Sequence, residues 1–118
     1  MNQIIDMKAF ERLGATLGSQ ARQMLPSLVD DFIKEAPRLI SEAGNAAEGG
    51  RAADLRRAAH TLKSNSASFG AMGLSSLARE IEEAAKEGRC EGAEATLTRI
   101  KNEFALASAE LKALIERM

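Results

Sequence analysis

The 118-residue sequence contains no tryptophan or tyrosine, and only one cysteine, one histidine and two prolines. The single Cys90 excludes an intramolecular disulfide and a cysteine-based metal cluster. With four phenylalanines, a folded core must consist mainly of Leu, Ile, Val, Met and Ala. No apolar run approaches the length of a membrane span, and the N-terminus lacks a signal-peptide pattern. We therefore expect a cytoplasmic protein without a membrane partner.

The charges nearly cancel, because 16 Lys and Arg residues stand against 17 Asp and Glu residues and give a formal net charge of −1. Non-specific binding to nucleic acid requires a basic surplus, so the composition argues against a nucleic-acid partner. Hydrophobic residues make up 45% and charged residues 28% of the chain, which is typical of a globular protein. The length fits one domain, which we expect to span residues 1–118.

Apolar residues recur with helical spacing along most of the chain, and strand patterns are absent. A short helix is expected at residues 7–13, with Asp6 as its N-cap and Gly14 just beyond its end. Longer amphipathic helices are predicted at about 19–48, 51–69, 73–88 and 93–118. Because short links make sequential helices antiparallel neighbours, we predict an all-α fold. It is an up-down-up-down antiparallel four-helix bundle at 19–118, with 1–18 as an N-terminal capping helix and turn.

The only histidine, His60, falls on the outer side of the third predicted helix, roughly 140° from its core line. The residues sharing this side are small or basic: Ala53, Arg56, Arg57, Lys63, Ser64 and Ala67. A surface helix without another duty usually carries long polar side chains. A flat, positive patch around a projecting imidazole therefore predicts a docking surface for another protein, with an ordinary surface histidine as the alternative.

Few kinds of chemistry fit His60. The sequence offers it no second histidine at i+4 and no cysteine partner, so a metal site is not indicated. There is no Gly-rich phosphate-binding loop. An imidazole nitrogen is nevertheless a competent nucleophile near neutral pH. If it took up a phosphoryl group, Lys63 one turn away would stabilise the product, and any Mg²⁺ would have to come from the partner.

The segment 60–64 (HTLKS), with Gly70 ten residues after the histidine, resembles the signature of histidine-containing phosphotransfer (HPt) domains. Residues 32–37 (FIKEAP) and 77–82 (LAREIE) are similar to the patterns in the helices before and after it. The resemblance covers residues 19–118 and agrees with the predicted bundle.

The resemblance implies a phosphorelay intermediate. His60 would accept a phosphoryl group, on the ring nitrogen remote from its backbone, from a receiver-domain phospho-aspartate and pass it to another receiver. Lys63 would neutralise phosphoryl charge. Glu82 falls near the position that often orients the imidazole, and its alternative reading is an ordinary solvated glutamate. Ser64 stands where glycine is commonest, and its small size should still allow a receiver to approach. Arg56 and Arg57 would help to steer the acidic receiver.

The resemblance also implies a carrier without kinase or phosphatase activity, because Thr61 replaces the acidic residue that histidine kinases place after their histidine, and no ATP-binding domain is present. The expected partners are response-regulator receiver domains and a hybrid sensor histidine kinase, with Mg²⁺ supplied by the receiver and no cofactor bound by this chain. A monomer is expected, free-standing or part of a hybrid kinase.

Two other functions stay open. One is the phosphotransfer domain of a chemotaxis-type kinase, which takes its phosphoryl group from that kinase's ATP domain. The other is a helical-bundle adaptor that binds another helix through the apolar seam of Leu97, Ile100, Phe104 and Leu111.

Overall fold

The computed structural model describes residues 4–118 and consists of helices joined by short turns. They are α1 (Met7–Leu17), α2 (Ala21–Glu48), α3 (Ala52–Ser68), α4 (Met72–Lys86) and α5 (Ala93–Glu116), and a 3₁₀ turn at Gly18–Gln20 links α1 to α2. No strand occurs in the described residues. The predicted all-α fold class is therefore confirmed.

The four long helices enclose one mainly aliphatic core. α2 packs against α3 and α5, and α4 also packs against α3 and α5, whereas α1 contacts α2 and α3. Phe32 stacks on Phe69 with ring centroids 5.0 Å apart and meets Phe104 edge-on at 6.0 Å. That the four helices alternate in direction remains a prediction, which is based on their short connections. Within residues 4–118, no helix combines the length and apolar character that crossing a membrane requires.

The turn between α3 and α4 is a Schellman motif built on Gly70. Gly70 has a φ of 81°, its N–H donates to the carbonyl of Ala67 at 3.0 Å, and the N–H of Ala71 donates to the carbonyl of Ser66 at 2.9 Å. Gly70 is thus the glycine that ends α3, in agreement with the predicted end of this helix near residue 69. The N-terminal segment sits on the same turn, because the N–H of Asp6 donates to the carbonyl of Gly70 at 2.7 Å. This turn returns the chain at once and places α4 beside α3.

The predicted end of the first helix was wrong. Asp6 is its N-cap, as expected, and accepts a backbone hydrogen bond from the residue two positions on. The helix then continues through Gly14 to Leu17 and ends at Gly18, which has a φ of 60°. A glycine inside a helix costs only about 1 kcal/mol. Leu17 packs partly buried against the core, so continuing the helix offsets that cost.

Candidate functional site

The third helix divides into a buried line and an exposed side, as its sequence predicted. The residues of the buried line are all 9% exposed or less: Leu55, Ala59, Leu62, Ser66 and, at the end of the helix, Phe69. His60 lies outside this line in the middle of α3, and 58% of its side chain is exposed. The imidazole is therefore accessible to another molecule without any movement of the helix.

His60 does not stand alone on the surface, because Glu82 reaches it from α4. The Nδ1 atom of His60 lies 2.7 Å from Oε2 of Glu82, whose side chain is only 13% exposed. An ionised carboxylate can only accept hydrogen bonds, so Nδ1 is the donor in this contact. The ring nitrogen outside the contact is Nε2, the one remote from the backbone.

The second oxygen of the same carboxylate pairs with Lys63. The ammonium nitrogen lies 2.6 Å from Oε1 of Glu82, and the Lys63 side chain is 28% exposed. Residues three apart on a helix occupy adjacent positions on its surface, which lets His60 and Lys63 share one acceptor on the neighbouring helix. Glu82 is thus the common partner of both α3 side chains.

The charge state of Glu82 is set by two opposing effects. Burial of the carboxyl group favours its neutral form and raises its pKa. The hydrogen bonds and charges of Lys63 and His60 outweigh burial, so the pKa of Glu82 lies below its ordinary value. Glu82 is consequently a carboxylate at neutral pH and a permanent acceptor for the imidazole.

The predicted docking residues surround His60 on α3 with different degrees of exposure. Ala53, Arg56, Arg57 and Ser64 are exposed and Ala67 is half-buried. Arg57 forms an ion pair with Asp54, which also pairs with Arg51 at 3.3 Å. Part of the expected positive charge is therefore balanced locally, on Arg57 by Asp54 and on Lys63 by Glu82. In residues 4–118, Arg56 has no such ion-pair partner, so its charge is available at the surface.

Besides the Lys63–Glu82 ion pair, two contacts at this site escaped the sequence analysis. One is the Asp54 pairing, which its spacing of three residues from Arg57 could have indicated. The other is the hydroxyl of Ser75 on α4, which donates to the backbone carbonyl of Lys63 at 3.0 Å. A serine at a buried helical position carries no local signal for such a bond, because its partner belongs to another helix.

Comparison with known proteins identifies the family. The family model of the Hpt domain matches residues 27–118. The chain belongs to the Hpt domain family. This Hpt domain therefore has a role in histidine phosphotransfer within a phosphorelay, with receiver domains or histidine kinases as partners. Hpt domains are phosphotransfer carriers and not kinases or phosphatases.

Two solved structures resemble this Hpt domain along its whole length. Histidine-containing phosphotransfer protein B (HptB) from Pseudomonas aeruginosa PAO1 is 25% identical, with a TM-score of 0.87 over 100% of this chain and 99% of HptB. The Hpt domain of a sensor hybrid histidine kinase from Shewanella is 19% identical, with a TM-score of 0.73 over 98% of this chain and 96% of that domain. The second likeness concerns the fold alone. A search of curated proteins gave no significant match.

Proposed function

We propose that His60 accepts a phosphoryl group from the phospho-aspartate of one receiver domain and passes it to the aspartate of another. The observation that carries this proposal is the Nδ1–Glu82 contact at 2.7 Å beneath an imidazole that is 58% exposed. It holds one ring nitrogen as a donor and leaves Nε2 as the nucleophile. A buried histidine, or one free to rotate in solvent, would not combine access with a fixed tautomer.

The proposed transfer at His60 needs no other reacting group on this chain. The lone pair of Nε2 forms the N–P bond while the P–O bond to the receiver aspartate breaks, and the aspartate leaves as a carboxylate. The proton on Nδ1 stays in its hydrogen bond to Glu82, so the positive charge of the phosphorylated ring lies against a carboxylate. Onward transfer is the reverse step, in which the second receiver's carboxylate attacks phosphorus and the N–P electrons return to Nε2.

Lys63 serves the phosphorylated state in this proposal. Its ammonium is paired with Glu82 in the unphosphorylated domain, and its flexible stem lets it exchange that partner for a phosphoryl oxygen. The phosphoryl group carries more negative charge than a carboxylate, so the exchange is favourable. Mg²⁺ held by the receiver neutralises phosphoryl charge from the other side during transfer. We propose no cofactor for this chain itself.

The exposed side of α3 is the proposed receiver-docking surface. Ala53 and Ser64 are small and flank His60 along the helix, so a second protein can approach the imidazole closely. Arg56 adds a positive charge one turn before His60, which complements the acidic phosphorylation pocket of a receiver. The adaptor alternative is less favoured, because Leu97, Ile100 and Leu111 of its seam are 5% exposed or less within this domain's own core, and Phe104 is half-buried.

The decisive experiment is phosphoryl transfer to the purified domain. Wild type and His60→Gln are each mixed with Mg²⁺ and a radiolabelled phospho-receiver, and in a second arm with ATP and the ATP domain of a chemotaxis-type kinase. We expect an acid-labile, alkali-stable phosphoprotein in the receiver arm with the wild type only. Labelling of His60→Gln would remove His60 as the site. Labelling in the kinase arm alone would replace the receiver-to-receiver proposal by the chemotaxis-kinase function.

A further inference from the structure

The hydroxyl of Ser75 links α4 to the helix that carries His60. Its Oγ atom donates to the backbone carbonyl oxygen of Lys63 at 3.0 Å, and Ser75 is only 8% exposed. A carbonyl oxygen has two lone pairs, so it can accept this hydrogen bond in addition to the backbone N–H hydrogen bond within its own helix. The contact is therefore an additional, partly buried connection between the two helices.

Ser75 differs from the other hydroxyl groups of the protein. Five serine or threonine hydroxyls donate hydrogen bonds in residues 4–118. Four of them, on Thr16, Ser68, Thr96 and Thr98, bond to the carbonyl four residues earlier. That local bond is the usual choice of a hydroxyl inside a helix. Ser75 bonds to a different helix instead, so its hydroxyl reports on how α3 and α4 are aligned.

The Ser75 bond lies on the same face of α4 as Glu82. The two residues are seven positions apart, which is close to two helical turns, and Ala78 between them is 0% exposed against the core. Lys63 is consequently held at both ends by α4, its carbonyl by Ser75 and its ammonium by Glu82. The hydroxyl thus fixes α4 relative to the stretch of α3 on which His60 lies.

We propose that Ser75 is a positioning residue for the phosphoryl-accepting imidazole: its bond to the Lys63 carbonyl sets the register of α4 that brings Glu82 to His60. A helix displaced along its axis by one residue moves about 1.5 Å. Such a displacement would lengthen the 2.7 Å contact between Nδ1 and Glu82 to between about 3.1 and 4.2 Å, depending on its direction, which weakens or breaks the hydrogen bond. The kinetic consequence rests on the function proposed above, whereas the geometric consequence does not.

The test measures the imidazole directly. ¹⁵N NMR of labelled domain, at a pH where the ring is neutral, gives the fraction of His60 with its proton on Nδ1. Ser75→Ala is compared with Ser76→Ala, the exposed neighbour on the same helix, and with Glu82→Ala as the reference for complete loss of the contact. We expect Ser75→Ala to shift the Nδ1–H fraction towards the Glu82→Ala reference, and Ser76→Ala to match wild type.

The rate of phosphoryl acceptance from a phospho-receiver is measured on the same samples. We expect Ser75→Ala to be slower by about fivefold, the effect of losing one neutral hydrogen bond. If Ser75→Ala does not fold, Ser75→Cys keeps nearly the same volume with a weaker donor and should shift the ring signal in the same direction. A wild-type ring signal in either folded variant overturns the inference. If the ring signal shifts in Ser75→Ala but even the wild-type domain accepts no phosphoryl group, the result would support the positioning role and reject the proposed function.

Discussion

Replacing Glu82 by glutamine tests the chemistry of the site most directly. The Glu82→Gln side chain keeps an oxygen that can accept from Nδ1 of His60, but it removes the negative charge. The structure assigns two contacts to that charge, the 2.7 Å hydrogen bond to His60 and the 2.6 Å ion pair with Lys63. In the proposed transfer the imidazole becomes positively charged as Nε2 attacks phosphorus, so the lost charge should matter more in the transition state than before it.

The size of the effect follows from the kind of hydrogen bond. A bond to a charged group contributes about 1.5–3 kcal/mol and a neutral bond about 0.5–1.5 kcal/mol, so exchanging one for the other costs about 1–1.5 kcal/mol. If this difference is fully expressed in the transition state, phosphoryl acceptance by Glu82→Gln slows by about tenfold. The same substitution releases Lys63 from its ion pair. Its ammonium is then free to bind the phosphoryl group, which should stabilise the phosphorylated product.

The assay is single-turnover transfer from a radiolabelled phospho-receiver, with rate and final labelled fraction recorded separately. Glu83→Gln is the matched control, because Glu83 is the next residue of α4 and its side chain is 72% exposed. We expect a slower rate in Glu82→Gln without a matching loss of final label, and no change in Glu83→Gln. Equal rates for wild type and Glu82→Gln, with both folded, would refute the role of the carboxylate.

The stability difference between wild type and Glu82→Gln should depend on pH. The pKa of Glu82 is lower in the folded domain than the ordinary value of 4.5, because Lys63 and His60 outweigh the opposing effect of burial. Its ionised form therefore stabilises the fold above pH 4.5, and this contribution disappears as the pH falls through the folded pKa. Urea unfolding should show wild type more stable than Glu82→Gln at pH 7, with the difference shrinking below pH 4.5. A difference independent of pH would contradict the ionic origin.

Four further substitutions test other parts of the molecule. Lys63→Met should lower the labelled fraction at equilibrium with a phospho-receiver by about fivefold, through loss of a charge-assisted hydrogen bond to the phosphoryl group; an unchanged fraction would exclude that contact. Arg56→Glu should slow association with a receiver by about fivefold at low salt and less at high salt, with unchanged circular dichroism, because surface steering is screened. Salt-independent slowing would contradict steering. Gly70→Ala should destabilise the fold by about 3 kcal/mol in urea unfolding and Gly88→Ala by about 1 kcal/mol. Both glycines have positive φ, but only at Gly70 would a Cβ atom meet the carbonyl oxygen of Asp6, at 2.6 Å; equal losses would contradict that explanation.

The error in α1 shows where local sequence signals are weak. Gly14 and Gly18 are both plausible helix ends in the sequence, and the choice between them depends on whether Leu17 has a core to pack against. That core is made by other helices, so the local signal could not decide. The end of α3 was predictable because Gly70 must adopt a positive φ and has no competing glycine nearby in its own helix.

Sequence periodicity was enough to establish that the chain is helical and that His60 faces away from the core. Both follow from backbone geometry, because a period of 3.6 residues places each side chain on a definite face once the apolar positions are known. Lys63 beside His60 is likewise a consequence of spacing within one helix. The family resemblance pointed to Glu82, but helical spacing did not.

The contacts of His60 depend on how the helices pack together. Glu82 is 22 residues away in sequence, and its distance from the imidazole depends on the Gly70 turn and on the alignment of α4 with α3. A hydrogen bond tolerates only a few tenths of an ångström, whereas a sequence pattern fixes a residue's face and not its position along a neighbouring helix. The Lys63 ion pair and the Ser75 bond depend on that alignment for the same reason. The proposed nucleophile was therefore readable from the sequence, and the groups proposed to orient it belong to the packing of two helices.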